Sequence, residues 1–315
     1  MTQTPTFIVS AGRSGSTWLA KMINSHPEIL CVSDILEPVG TIPYFDASLK
    51  VSGKEFFRVL SQEFLAQRIK HWRKRRNEEL LFLPEKDEMV SLLLCYTLPF
   101  LTGGKNPMVL YEKVRDEIES WQEDIMPEHF IRFCEFLRDD FQKKVWVERT
   151  GGGLAHINKI LQNWPEAKVI HNYRDGRETA ISMMGGSFFR LYYELLQDPD
   201  LSPEWDMDSF DRGVSVMGRL WNRWVVDAEE CLSKIPSFQK MHVGFENLNS
   251  DLRSNLLNIA SFILGRENND IDEEWVQNNK FPSRKPDLKF EKLNDEDQNK
   301  LFFSCKEGLK RLRYI

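Results

Sequence analysis

The 315-residue sequence is poor in the residues that build disulfide scaffolds and metal clusters. Its five cysteines, Cys31, Cys95, Cys134, Cys231 and Cys305, are widely scattered. They form no CxxC pair, and an odd number cannot close a complete intrachain set. Six histidines occur without HExxH or related spacing, so a zinc centre has little support. Positive charge is not in excess either. A formal net charge of -6 argues against general nucleic-acid binding, while leaving room for a local basic pocket. The longest apolar run, MVSLLLCYTLPFL (Met89 to Leu101), is too short to span a bilayer and holds Pro99, so no membrane association is expected. The first apolar strand begins almost at Met1, leaving no room for a signal peptide, and the expectation is a reducing, cytoplasmic setting.

What the sequence does have is alternation of strand and helix. FIVSA, ILCVS, KVWVE, KVIHNY and the later KMHVGFE read as short buried strands rich in Val and Ile. Leu154, Ile157, Ile160 and Leu161 repeat at helical spacing after the third. Strand-then-helix repetition predicts βαβ units, a parallel sheet, and ligands at the carboxyl ends of its strands. Residues 52–140 change to helices separated by turns, a helical insertion over the sheet. Arg212 to Ile235 reads as a further helix with Trp221, Trp224 and Val225 on its core face. Gln197 to Asp211 is acidic, holds two prolines, and reads as a surface loop or lid. No repeat or linker divides residues 1–315, so one domain is expected.

The chemistry is carried by two stretches. In AGRSGSTW, Gly12 and Gly15 let the backbone turn tightly, while Ser14, Ser16 and Thr17 supply hydroxyls. Arg13 adds a permanent cation whose planar fork suits phosphate or sulfate oxygens. Amides at the start of the following helix attract an anion. This is not a Walker A loop, because Ser16 follows Gly15 where that motif has Lys. Alone it is equally well an ordinary capped strand-to-helix turn. The second stretch, YRDGRETAIS, places Arg174 at a strand end and Ser182 almost two turns along the next helix. Alone, Arg174, Asp175 and Arg177 read as a surface ion-pair cluster; with the first loop they point to a ligand with two anionic ends.

These residues resemble a known family. GRSGSTWL, Trp18 included, is similar to the 5′-phosphosulfate loop of sulfotransferases that use 3′-phosphoadenosine 5′-phosphosulfate (PAPS), and YRDGRETAIS resembles their 3′-phosphate motif. KVWVERTGGGLAHINKILQNWPEAKVIHNYRD and HVGFENLNSDLRSNLLNIASFILG are similar to the family's central and late blocks, in the expected order. The resemblance implies an α/β three-layer sandwich around a parallel sheet, like that of P-loop NTPases. It also implies sulfuryl transfer from PAPS to a small-molecule hydroxyl or amine, with 3′,5′-adenosine bisphosphate (PAP) as product and no metal. Arg13 departs from the Lys of cytosolic small-molecule sulfotransferases and is closer to the loops of protein-tyrosine and carbohydrate sulfotransferases. Arg149, Thr150 and Gly151 stand where many relatives have Lys-Thr-Pro. The family's C-terminal Gly-rich phosphate segment is missing; Ser283, Arg284 and Lys285 either replace it over the 3′-phosphate or form a solvated basic turn.

The resemblance also orders the candidates for chemistry. Arg13, the loop amides and Thr17 face the 5′-phosphate, and Arg149 the sulfuryl group. Asp34, at the end of HPEILCVSD, matches the distance of the catalytic Glu of protein-tyrosine sulfotransferases from the loop Arg. It is the first choice for the base, with a turn or cap residue as the plain alternative. Glu37 is the second choice and, with His156, faces the acceptor. On its own residues His156 reads as a satisfied surface histidine. His26, His171 and Glu246 read as structural. Asp198, Asp200, Glu204, Asp206 and Asp208 belong to a solvated loop or favour a cationic acceptor. A P-loop nucleotide kinase or NTPase, for which VIHNYRD resembles a Walker B strand, and a silent PAPS- or PAP-binding protein are the alternatives.

Overall fold

The computed structural model describes residues 3–36, 48–62, 81–82, 91–185, 207–279 and 288–315, with side chains of 207–212 not described. Five strands form a parallel sheet in the order β2-β5-β1-β6-β7. They are β1 (Thr6–Val9), β2 (Ile29–Ser33), β5 (Val145–Thr150), β6 (Lys168–Tyr173) and β7 (Lys240–Gly244). Helices on both faces complete an α/β three-layer sandwich, as the strand-helix alternation predicts.

The central strands are buried on both sides, which explains their near-continuous apolar character. Phe7 on β1 stacks against Trp164 with ring centroids 5.1 Å apart, and meets Trp146 of β5 edge-on at 6.2 Å. After β1 the chain runs through α1 (Ser16–Asn24) to β2, then returns through β5 to fill the place between them. The later strands β6 and β7 extend the other side of β1. The sheet therefore changes direction at β1, and it is at the carboxyl ends of strands beside such a point that parallel sheets place ligands.

Between β2 and β5 lies the insertion. It contains α2 (Gly53–Leu60), a π-helical turn Leu93–Thr97 running into the short helix Leu98–Thr102, α3 (Pro107–Glu119) and α4 (Met126–Asp140). Ser52 caps α2 by accepting the Glu55 amide, and Pro107 opens α3 where a helix needs no N–H donor. The sequence reading did not foresee the two-residue antiparallel pair β3 (Lys50–Val51) and β4 (Asp124–Ile125), which is too short to show a period-two pattern.

After β5 come α5 (Ile157–Asn163), then α6 (Gly176–Gly185) behind β6, and α7 (Met207–Ser233). α7 starts at Met207, so positions 207–211 of the expected lid are helical; 197–206 lie outside the described residues. Trp221 is fully buried, and a Cβ added at Gly176 or Gly308 would come within 2.4 or 2.6 Å of its ring. β7 ends two residues before the expected KMHVGFE strand does, because Phe245 already begins α8 (Phe245–Ser250). α9 (Leu252–Leu264) ends at Gly265 in left-handed conformation, and α10 (Asp270–Asn278) and α11 (Asp295–Arg311) close the chain.

A buried polar knot ties α10 to the sheet. His26 Nε2 meets Asp272 at 2.9 Å while its Nδ1 accepts the Glu28 amide at 3.0 Å. Arg266 bridges Asp272 and Glu28 at 2.6 and 2.7 Å. Burial holds His26 below its ordinary pKa, which agrees with its structural reading.

Candidate active site

The loop between β1 and α1 owes its shape to three residues with positive φ: Gly12 (80°), Arg13 (56°) and Gly15 (81°). At Gly15 glycine is obligatory for a second reason. An added Cβ would lie 2.6 Å from the ring of Phe245, the first residue of α8. Gly15 caps α1 without offering a side chain, and the first turn carries no acidic residue. The first amides of a helix have no intrahelical partner, so this end of α1 presents donors and partial positive charge at the carboxyl end of the sheet.

Arg149, the fifth residue of β5, organises this end of the sheet. Its Nε and Nη2 donate to Ser16 Oγ at 3.0 and 2.6 Å, Nη2 also to Thr17 Oγ1 at 2.9 Å, and Nη1 to Asp34 Oδ2 at 2.7 Å. Burial is the largest influence and works against its charge, but Asp34, Tyr96, Cys31 and Glu148 together outweigh it and hold the guanidinium pKa above its ordinary value. Asp34 sits just past β2 with φ 59°, a conformation that Asp tolerates better than most residues. Its Oδ1 accepts the Gly151 amide at 2.9 Å, and its own amide donates to the Arg149 carbonyl at 2.8 Å. The carboxylate, the guanidinium and the two loop hydroxyls thus form one connected unit.

The second stretch joins from β6 and α6. Arg13 Nε donates to Ser182 Oγ at 3.2 Å, so the two sequence motifs meet directly. Arg174 lies over the Phe245 ring at 5.1 Å, with Glu178 at 3.6 Å. Phe245 also meets Trp18 edge-on at 6.0 Å, and therefore stands between the loop and Arg174. Ser14 donates to Asn172 at 3.2 Å, and Asn172 to the Val243 carbonyl at 3.1 Å, which locks the loop to β6 and β7. Asp175, the acid of the Walker B-like stretch, instead caps α6 by accepting the Arg177 amide at 2.9 Å.

A sequence model of the sulfotransferase family matches residues 5–268. The chain belongs to the sulfotransferase family. No curated protein matches it in sequence. Its structure is similar to the sulfotransferase domain from the curacin biosynthetic pathway, at 14% identity and TM-score 0.57, covering 99% of this chain and 98% of that one. The sulfotransferase domain of the Synechococcus PCC 7002 olefin synthase gives 14%, 0.50, 99% and 95%. Sulfotransferase STF9 from Mycobacterium avium gives 14%, 0.51, 98% and 77%. At such identities the likeness speaks for the fold.

In this chain the structure brings together Gly12, Arg13, Ser14, Gly15, Ser16, Thr17, Trp18, Asp34, Arg149, Arg174 and Ser182 at one end of the sheet. His156, half-buried, closes the 3-10 turn after β5, where burial pushes its pKa down to about 4. Glu37, Ser283, Arg284, Lys285 and the five acids from Asp198 to Asp208 fall outside the residues whose side chains are described. Glu246 is structural as expected: it accepts the Asp175 amide at 3.2 Å and the Tyr314 hydroxyl at 2.6 Å.

Four neighbours escaped the sequence reading. Asn172 and Phe245 are two, and their signal is only positional, at the ends of β6 and β7. Tyr96 is the third. It lies in the π-helical turn, its hydroxyl hydrogen-bonds Thr17, and burial, with Asp34 nearby, pushes its pKa up to about 12. Irregular helical turns of this kind recur at functional sites. Glu148 is the fourth. It is fully buried on β5, bonded to the Thr150 hydroxyl and the Leu36 amide, and its other oxygen has no partner among the described residues. Burial pushes its pKa to about 8, with Asp34 acting in the same direction, so it is mostly protonated at neutral pH. A Glu in the middle of an apolar strand was the available clue.

Proposed function

We propose that the protein transfers the sulfuryl group of PAPS to a hydroxyl or amine of a small-molecule acceptor. The observation that carries this reading is the single unit of Arg149, Asp34, Ser16 and Thr17 at the start of α1, in a chain of the sulfotransferase family. Two features fit a nucleotide with two anionic ends. The start of α1, with no side-chain cap, and the left-handed loop residues Gly12, Arg13 and Gly15 give a turn whose backbone amides suit an anion. Trp18 Nε1 is buried with no hydrogen-bond partner among the described residues.

When bound, PAPS supplies an activated sulfuryl group and a phosphate as leaving group. Residues 12–17 would hold the 5′ end, with Arg13 and the loop amides offsetting charge that grows on the departing oxygen. Arg174 and Ser182 would hold the 3′-phosphate, with Ser283, Arg284 and Lys285 as its cover. Asp34 takes the acceptor's proton, and Arg149 holds that carboxylate in place through Nη1 while Nη2 anchors the loop hydroxyls. One guanidinium thus fixes base and anion cradle relative to each other, the positioning that in-line transfer needs. Protonated Glu148 adds no second negative charge beside Asp34. Glu37 and His156 would face the acceptor.

The test is sulfuryl transfer from radiolabelled PAPS to a panel of phenols, alcohols, amines and cationic acceptors, with wild type and Asp34→Asn. Transfer that falls at least about 100-fold in Asp34→Asn supports the base assignment. Transfer unchanged in that variant removes Asp34 from the chemistry. An inactive wild type that still binds PAP returns the silent-binding reading.

A further inference from the structure

Away from the phosphate loop, three side chains from three elements converge at the open edge of the sheet. His171 of β6 and His242 of β7 are direct register partners, so their rings lie on the same face of the sheet. Glu229, near the end of α7, reaches down between them. Its Oε1 lies 2.8 Å from His171 Nδ1 and 2.9 Å from His242 Nε2, with Oε2 3.1 Å from the latter. All three ligand atoms fall within 4.8 Å of one another. The next residue on β6, Asn172, points to the opposite face and holds Ser14, so the cluster is separate from the transfer site.

We propose that His171, Glu229 and His242 form a binding site for a divalent transition-metal ion, zinc being the best match to two imidazoles and one carboxylate. Three protein ligands leave a fourth tetrahedral position for water. The geometry supplies access: His171 is fully buried and Glu229 nearly so, but the His242 side chain is 35% exposed at the sheet edge. Binding asks each ring to carry its proton on the far nitrogen, which for His171 is Nε2, buried and without a hydrogen-bond partner among the described residues. The ion would tie α7 to the edge strand and take no part in sulfuryl transfer.

The test uses tag-free full-length protein, stripped with a chelator and equilibrated with zinc chloride, with bound metal measured by mass spectrometry. Cobalt(II) spectra on the same protein report coordination geometry. One equivalent per chain is expected, with tetrahedral cobalt bands and a raised melting temperature. His242→Ala, on the exposed strand, is expected to weaken binding by more than about 100-fold, the upper reach of outer-sphere changes. Glu229→Gln keeps partners for both histidines, so its loss of metal with an unchanged circular dichroism spectrum separates ligation from misfolding. No stoichiometric metal, or binding undiminished in His242→Ala, overturns the proposal.

Discussion

Glu148 gives a prediction whose size follows from the structure. Its side chain is fully buried, and its pKa rises from an ordinary 4.5 to about 8. The folded state therefore binds this proton more tightly than the unfolded chain does. The associated stability is complete below the unfolded pKa and is lost as pH rises through 4.5 to about 8, then stays level. At pH 7 the unfolded carboxyl sits about 2.5 pH units above its pKa; at roughly 1.4 kcal/mol per unit, keeping Glu148 protonated costs roughly 3 kcal/mol. Glu148→Gln removes that cost and keeps an oxygen for the Thr150 hydroxyl and the Leu36 amide. Its extra buried N–H subtracts about 1 kcal/mol. Urea unfolding of both proteins from pH 5 to pH 8.5 is the assay. The variant should gain on wild type by roughly 3 kcal/mol between pH 5 and pH 8. A difference that stays flat with pH refutes the reasoning, because Glu148 would then ionise in the folded protein as it does in the unfolded chain.

Other expectations follow from single contacts. Gly15→Ala needs a left-handed alanine and a displaced Phe245, so urea unfolding should show a loss of more than about 1 kcal/mol and calorimetry a loss of PAP binding. Arg149→Lys keeps a charge but cannot reach Asp34, Ser16 and Thr17 together; steady-state rates with PAPS should fall about 100-fold. Tyr96→Phe keeps the ring stacked on Phe100 and removes the hydroxyl beside Thr17. Turnover should drop about fivefold, the worth of one hydrogen bond, with melting temperature unchanged.

The central sheet was legible because buried parallel strands are short, apolar and followed by helices of regular period. The two motif stretches were legible as candidates because glycine, hydroxyl and arginine at those spacings stand out together. Their direct meeting through Arg13 and Ser182 was not, since it depends on β1 and β6 lying side by side, which strand order alone decides. Glu148 and Tyr96 were hidden for the same reason. Glu148 gains its meaning from Asp34, and Tyr96 from Asp34, Arg149 and Thr17, all distant in sequence. The His171, Glu229 and His242 cluster shows the limit of spacing arguments most clearly. Metal motifs are recognised when ligands share one helix or loop, whereas these three are assembled by a strand pair and a crossing helix.

The central claim is that the loop at the start of α1 recognises a nucleotide carrying phosphates at both its 5′ and 3′ positions. Calorimetric titration of the purified protein with 3′,5′-adenosine bisphosphate, beside ATP with magnesium, tests it most directly. The account predicts one metal-independent site for the bisphosphate, weakened by Arg174→Ala and by Arg13→Ala. Preference for ATP with magnesium, or bisphosphate binding indifferent to both arginines, would contradict it.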